Sequence, residues 1–255
     1  MSELIKTEAI VLHKIKYGDT SVIVTLFTKV LGKLSAIVKG GRNPKSKLGL
    51  IVDPSNYLQI VFYNKDSREV QLISSADIIQ HYPKLKSDFD SLKYSQAILE
   101  LVKTLIPEHE ANTKLFNGLI RIFSLMDESK ELPIILFARF FSFFLAELGY
   151  QLQLEYCSRC GKKELSNTEL SYNYDLGMFC SSCRNHVLES FTLNAELFST
   201  LVCLKYNKKI SGDKTALIEK AIQFMEKHLK HHIPDFKGLH SLKVFNNLTL
   251  QLNNK

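Results

Sequence analysis

Between Asp19 and Asp53 the chain carries no acidic residue, although that stretch holds Lys29, Lys33, Lys39, Arg42, Lys45 and Lys47. Cations without carboxylate partners suit a polyanion, because each neutralised phosphate releases a counterion; a solvated basic loop is the plainer alternative. Acid clusters are missing elsewhere too. Asp88, Asp90, Glu108 and Glu110 sit in polar sequence flanking helices, which disfavours a magnesium-dependent nuclease. No apolar run is long enough to span a membrane: Ile134 to Tyr150 is broken by Arg139 and Glu147 and reads as a buried helix. Met1 to Lys6 lack a basic stretch leading into an apolar core, so no secretory signal is expected. Cysteines number five, four of them in metal-ligand spacing. That spacing fits a reducing, cytoplasmic compartment better than a disulfide framework. The fifth, Cys203, lies in an apolar run and reads as a small buried side chain.

The other four cysteines carry the most specific signal. Cys157-x-x-Cys160 and Cys180-x-x-Cys183 form two knuckles with nineteen residues between them, the spacing of a tetrahedral zinc module. Four soft thiolates select zinc and leave no coordination position open to a substrate. One structural Zn2+ per chain is expected, in an insertion covering about residues 154–187, with a hairpin turning at Asp175-Leu176-Gly177. His186 is an alternative ligand, although four sulfurs already fill the site.

Residues 7 to 76 read as five short strands with no helical period between them. Val22, Val24 and Leu26 alternate with Ile23, Thr25 and Phe27, and polar turns punctuate the rest. An oligonucleotide-binding (OB) five-stranded barrel is expected, with an SH3-like barrel as the alternative. From Pro83 the period becomes helical. One broad face runs from Phe89 to Val102, a second from Leu115 to Met126, and Ile134 to Leu148 is apolar nearly all round. Helices are expected again over Asn194–Lys205, Lys214–Lys230 and Ser241–Leu248. The fold class is therefore α+β: a barrel over residues 1–80, then an α-helical domain over 81–255 carrying the zinc insertion.

The loop Lys39-Gly40-Gly41-Arg42-Asn43-Pro44-Lys45-Ser46-Lys47 combines glycines, which allow close backbone approach, with a planar guanidinium and mobile ammonium groups. It lacks the Gly-Lys-Ser/Thr ending of a nucleotide-triphosphate cradle and is not expected to run into a helix. Lys39, Arg42, Lys45 and Lys47 are the candidate phosphate contacts, with Lys33 beside them. Tyr57 and Tyr63 are candidate base-stacking platforms, each of which can equally be core. Phe137, Phe140, Phe141, Phe143 and Phe144 read as a helix buried on every side. The alternative is a groove built from Phe140 and Phe143, with Arg139 at its rim to catch a partner's carboxylate. His228, His231 and His232 close a basic helix and suit its dipole. No catalytic constellation is present.

Several stretches together closely resemble the bacterial recombination-mediator RecO family. They are Glu8–Leu12, Tyr17-Gly18-Asp19-Thr20, Leu26-Phe27-Thr28, Gly32-Lys33, the Lys39–Ser46 loop, Glu147-Leu148-Gly149-Tyr150, Cys157-x-x-Cys160-Gly161 and Ser241-Leu242-Lys243. The resemblance implies a non-enzymatic role in recombinational DNA repair. It implies binding of single- and double-stranded DNA and annealing of complementary strands. It also implies association with RecR, engagement of the C-terminal tail of single-strand-binding protein, and indirect help to RecA, in the bacterial cytoplasm at the nucleoid. It maps DNA contact onto the basic loop and tail binding onto Arg139 and its neighbours. An RNA-binding zinc protein of the translation machinery remains the alternative.

Overall fold

The computed structural model describes residues 3–163, 170–184 and 190–253; His186 lies outside them. Five strands, β1 (Glu3–Tyr17), β2 (Ser21–Thr28), β3 (Gly32–Val38), β4 (Tyr57–Asn64) and β5 (Val70–Gln80), close a barrel in the order β1-β2-β3-β5-β4. Strand β1 serves two neighbours. Glu3 to Ile10 pair with β4, while Ala9 to Tyr17 pair with β2, across a register shift between Val11 and His13. A parallel β3–β5 pairing completes the closure. This is the OB-like barrel expected, but β1 and β5 run well beyond the stretches the alternation marks. The polar run Ser74-Ser75-Ala76-Asp77 hides the end of β5, which continues through a bulge against β4.

Inward positions follow the period of two. Ala9, Val11, Val22, Val24, Leu26, Leu34, Ala36, Val38, Leu58, Ile60 and Phe62 form one buried cluster, and their β-branched and aromatic side chains suit a pleated, enclosed surface. The chain divides into two compact units, residues 1–130 with 239–255, and residues 131–238. The barrel itself ends at Gln80, whereas the first unit continues through α2 (Pro83–Ser87), α3 (Phe89–Leu105) and α4 (Thr113–Glu128) and regains α8 (His240–Asn253).

Three helix starts have an identifiable cap. Asp88 ends α2 and caps α3 by accepting from the Ser91 amide at 2.8 Å, so the helical face beginning at Pro83 breaks in two there. Asn112 caps α4 in the same way. Glu100 of α3 accepts from the His240 and Ser241 amides at 2.8 Å, satisfying donors that the first turn of α8 would otherwise leave open. Helix α8 extends beyond the segment expected, through Asn253.

The second unit packs α5 (Pro133–Glu147) against α6 (Ala195–Lys205) and α7 (Thr215–His232). Beside them stands a three-stranded sheet of order β7-β6-β8, from β6 (Leu170–Asn173), β7 (Gly177–Phe179) and β8 (Phe191–Leu193). The expected hairpin is β6–β7; the third strand carries no alternation long enough to read from sequence. No described helix is long and apolar enough to cross a membrane.

Candidate nucleic-acid interface and metal centre

The basic loop leaves β3 at Val38 and is shaped by its own backbone. Gly41 donates to the Val38 carbonyl at 3.3 Å, Asn43 to Gly40 at 3.1 Å, and Ser46 to Asn43 at 2.9 Å. It does run into a helix, contrary to expectation. Ser46 accepts from the Gly49 amide at 3.1 Å and starts the five-residue α1 (Lys47–Ile51). The glycines pack the loop and do not hinge it. A Cβ on Gly49 would stand 2.1 Å from the Gly41 carbonyl oxygen, and one on Gly41 would stand 2.8 Å from Val22 Cγ2. Gly40, at φ +68°, makes the left-handed turn between Val38 and Gly41.

Lys39, Arg42, Lys45 and Lys47 are all exposed, and no described carboxylate pairs with them. Arg42 is partly engaged: its amide donates to the Thr20 carbonyl at 2.8 Å and its Nη1 to the Gly18 carbonyl at 2.5 Å. Both acceptors lie in the β1–β2 turn, so the turn and the basic loop form one rim. That brings Tyr17, 55% exposed, and Lys16 beside the loop. Sequence reasoning passed over Tyr17, although the Tyr-Gly-Asp-Thr turn was its signal.

Two candidates face elsewhere. Lys33 donates to the Lys103 carbonyl at 2.7 Å beside Glu108, and burial first, then Lys103, holds its pKa below the usual lysine value against the pull of Glu108. Tyr57 gives its hydroxyl to Glu8 and packs edge-on against Phe116. Burial and the Glu8 contact push the phenol pKa up. Both side chains are half-buried and engaged within the fold. Tyr63 is 39% exposed.

The four cysteines do converge. Their sulfurs all lie within 4.8 Å of one another, and Cys160 and Cys180 stand 3.8 Å apart. Metal–sulfur bonds of about 2.3 Å in a tetrahedron place sulfurs about 3.8 Å apart, so the set fits a metal ion. The knuckles are held by Gly161 donating to the Cys157 carbonyl at 2.8 Å and Cys183 donating to Cys180 at 2.9 Å. Burial works to raise the Cys157 pKa, but the amides of Cys160, Cys180 and Arg159 outweigh it and bring the thiol down to about 6. Cys183 is pushed up to about 12, by burial and then by its three sulfur neighbours. One thiolate is thus ready, and a bound cation would favour deprotonation of the rest. Cys157, Cys180 and Cys183 are buried, Cys160 is exposed, and no fifth donor joins them among the described residues.

Helix α5 is buried over most of its phenylalanines, as expected, and the Arg139 rim of the alternative groove is occupied. Arg139 Nη1 meets Glu131 Oε2 at 2.6 Å and its Nη2 donates to the Lys208 carbonyl at 3.0 Å. Phe140 is buried against Phe144, while Phe143 is half-buried. A partner's carboxylate would have to displace that of Glu131.

Comparison with known proteins gives a consistent result over nearly the whole length. A family model described as "Recombination protein O N terminal" matches residues 1–82, and one described as "Recombination protein O C terminal" matches residues 86–242. Relatives that carry the name DNA repair protein RecO include the following three. That of Chloroherpeton thalassium is 29% identical over 256 residues, spanning 95% of this chain and 98% of its own. That of Alkaliphilus metalliredigens is 32% identical, spanning 77% and 78%. That of Chlorobium limicola is 36% identical, over 62% of this chain and 61% of its own.

Proposed function

Because this chain belongs to the RecO family of DNA repair proteins, we propose that it is a non-enzymatic DNA-binding mediator that anneals complementary strands during recombinational repair. The observation that carries the proposal is the exposed, carboxylate-free set Lys39, Arg42, Lys45 and Lys47 on a preshaped loop of an OB-like barrel. Cations fixed along one rim lower the repulsion between two phosphate backbones, so pairing proceeds with no covalent step. Arg42 anchors the rim and, through its remaining guanidinium donors, offers a planar phosphate contact. The four-cysteine cluster holds a structural zinc that fixes the β6–β7 hairpin and leaves no site for chemistry.

The further partners follow from the family. RecR, the acidic C-terminal tail of single-strand-binding protein and, indirectly, RecA are the partners proposed, in the bacterial cytoplasm at the nucleoid. Tail capture by Arg139, with Phe140 and Phe143 as its apolar neighbours, requires exchange of Glu131 for the incoming carboxylate. An RNA-binding role in translation is the competing assignment, and DNA–RNA competition separates the two. The direct test is fluorescence-monitored pairing of complementary DNA strands coated with single-strand-binding protein. Wild-type protein is expected to accelerate pairing, and the Arg42→Ala/Lys45→Ala variant to lose most of that acceleration; equal rates with and without wild-type protein would overturn the assignment.

A further inference from the structure

The four converging thiols have unequal surroundings. Cys157, Cys180 and Cys183 are buried, whereas Cys160 is exposed. Cys157 Sγ accepts from the Cys180 amide at 3.4 Å, which fixes it inside the module. Cys160 lies at the tip of the first knuckle, where Arg159, Lys162 and Lys163 are all exposed. A thiol that is open to solvent and flanked by cations meets an oxidant first, because reactivity follows thiolate character and access. The Cys160 Sγ also stands 3.8 Å from that of Cys180 in the other knuckle. An accessible sulfur thus faces a buried one placed to react with it.

The β6–β7 hairpin between the knuckles is held from two sides. The first knuckle holds it through Ser158, whose amide donates to the Met178 carbonyl at 2.8 Å and whose hydroxyl donates to the Leu176 carbonyl. Helix α7 holds it from the other side. His231 Nε2 meets Asp175 Oδ1 at 2.8 Å, and His232 Nε2 meets the Tyr174 carbonyl at 3.0 Å. Tyr172 packs edge-on against Phe224 with ring centroids 5.1 Å apart, and β6 pairs along its length with β8. No cysteine takes part in these α7 and β8 contacts. The hairpin therefore keeps its seat on α7 when sulfur donors are lost.

Resting on the structural-zinc reading above, we propose that the module is a peroxide-responsive switch in which Cys160 is oxidised and Cys180 resolves it. The Cys160 thiolate attacks one oxygen of hydrogen peroxide; the O–O bond breaks, Cys160 becomes a sulfenic acid and hydroxide leaves. The Cys180 thiolate then attacks the sulfenic sulfur, forming the S–S bond and expelling a second hydroxide. Two electrons pass from the sulfur pair to the peroxide. Only Cys157 and Cys183 remain as donors, too few for a tetrahedral site. The new bond ties one knuckle to the other while α7 retains the hairpin, so the segment changes without unfolding. A thiol reductant restores both thiolates and with them the donor set.

The test treats zinc-loaded wild-type protein with equimolar hydrogen peroxide and reads released zinc with a colorimetric chelator. Thiols are then alkylated after denaturation and the tryptic peptides mapped by mass spectrometry. Trypsin cuts after Arg159 and so separates Cys157 from Cys160, while Cys180 and Cys183 stay on one peptide and are told apart by fragmentation. Expected are loss of most of the bound zinc, a Cys160–Cys180 link, an unchanged helical circular dichroism spectrum, and recovery of zinc after dithiothreitol and added zinc. Any other linkage, or zinc loss accompanied by unfolding, overturns the switch. Zinc retained with every thiol still open to alkylation overturns it as well and leaves the structural zinc standing. Protein that holds no zinc when purified without chelator overturns the zinc reading and the switch together. The Cys203→Ser variant, which lacks the thiol outside the module, is expected to release zinc as the wild type does; retention by that variant would move the chemistry to Cys203 and overturn the assignment.

Discussion

Lys33 and Lys39 are six positions apart in one basic stretch and are indistinguishable by residue type, yet Lys39 is exposed and Lys33 half-buried. The difference comes from Lys103, whose carbonyl captures Lys33 across seventy positions of sequence. Tyr57 and Tyr63 divide the same way: Glu8 and Phe116 claim the first, while the second stays exposed. Arg139 is held by Glu131. Residue types with functional potential were legible in the chain, but their availability was set by distant partners that local pattern does not contain. His228 shows the energetic side of such burial. Its Nε2 contacts the Tyr150 carbonyl at 3.0 Å, Nδ1 is buried without a partner among the described residues, and the ring packs with His232 and Tyr172. Burial first, then the positive potential of His232 and His231, brings its pKa down to about 4, against the opposing pull of the Tyr150 carbonyl and Asp175. The unfolded chain, titrating near 6.5, therefore binds more protons between these values. Stability is full above about pH 6.5 and falls as pH drops towards 4, by about 3 kcal/mol from this group. Thermal melts from pH 7.5 to 4 are expected to show that fall in the wild type and a shallower one in His228→Gln, whose amide can still donate to Tyr150. Parallel curves for the two proteins would assign the acid sensitivity elsewhere.

Among the elements, the four-cysteine module was the most legible because its information is local: two knuckles, a turn and a spacing. Asn173 accepts from the Asp175 and Leu176 amides at 2.9 Å, and Gly177 takes φ +89°, which sets the hairpin that joins the knuckles. Strand β8 was not legible, since Phe191–Leu193 is short and acquires its identity only by pairing with β6. The basic loop was recognised for its charges, while the role of its glycines lay in packing on Val22 and α1, which no sequence period announces. A metal that ties together segments this small contributes directly to their folding. Elemental analysis of protein purified without chelator is expected to find about one zinc per chain. Stripping it with a strong chelator is expected to lower the melting temperature, with Cys157→Ser reproducing the loss. Protein that is metal-free as purified, and indifferent to chelator, would leave the four cysteines without the assigned role.

At the scale of the whole chain, a net charge of +7 means little until its placement is known. Cations on α7 pair in part with nearby acids, as Lys230 does with Glu226 at 3.2 Å, whereas the four on the loop after β3 stand without carboxylates among the described residues. The barrel and helical class were readable from the change of period near residue 80. The compact units, which gather α8 back to the first 130 residues, depend on the capping of α8 by Glu100 and on Phe89 meeting Phe245 at 5.5 Å. Those long-range contacts leave no trace in a sequence window. The central claim is that the loop after β3 grips phosphates, and salt dependence of DNA binding measures it most directly. Replacing Arg42 and Lys45 by alanine is expected to weaken single-strand binding and to flatten the log affinity–log salt slope by about 1.4, from two phosphate contacts at about 0.7 each. A slope identical to the wild type, with binding intact, would contradict it.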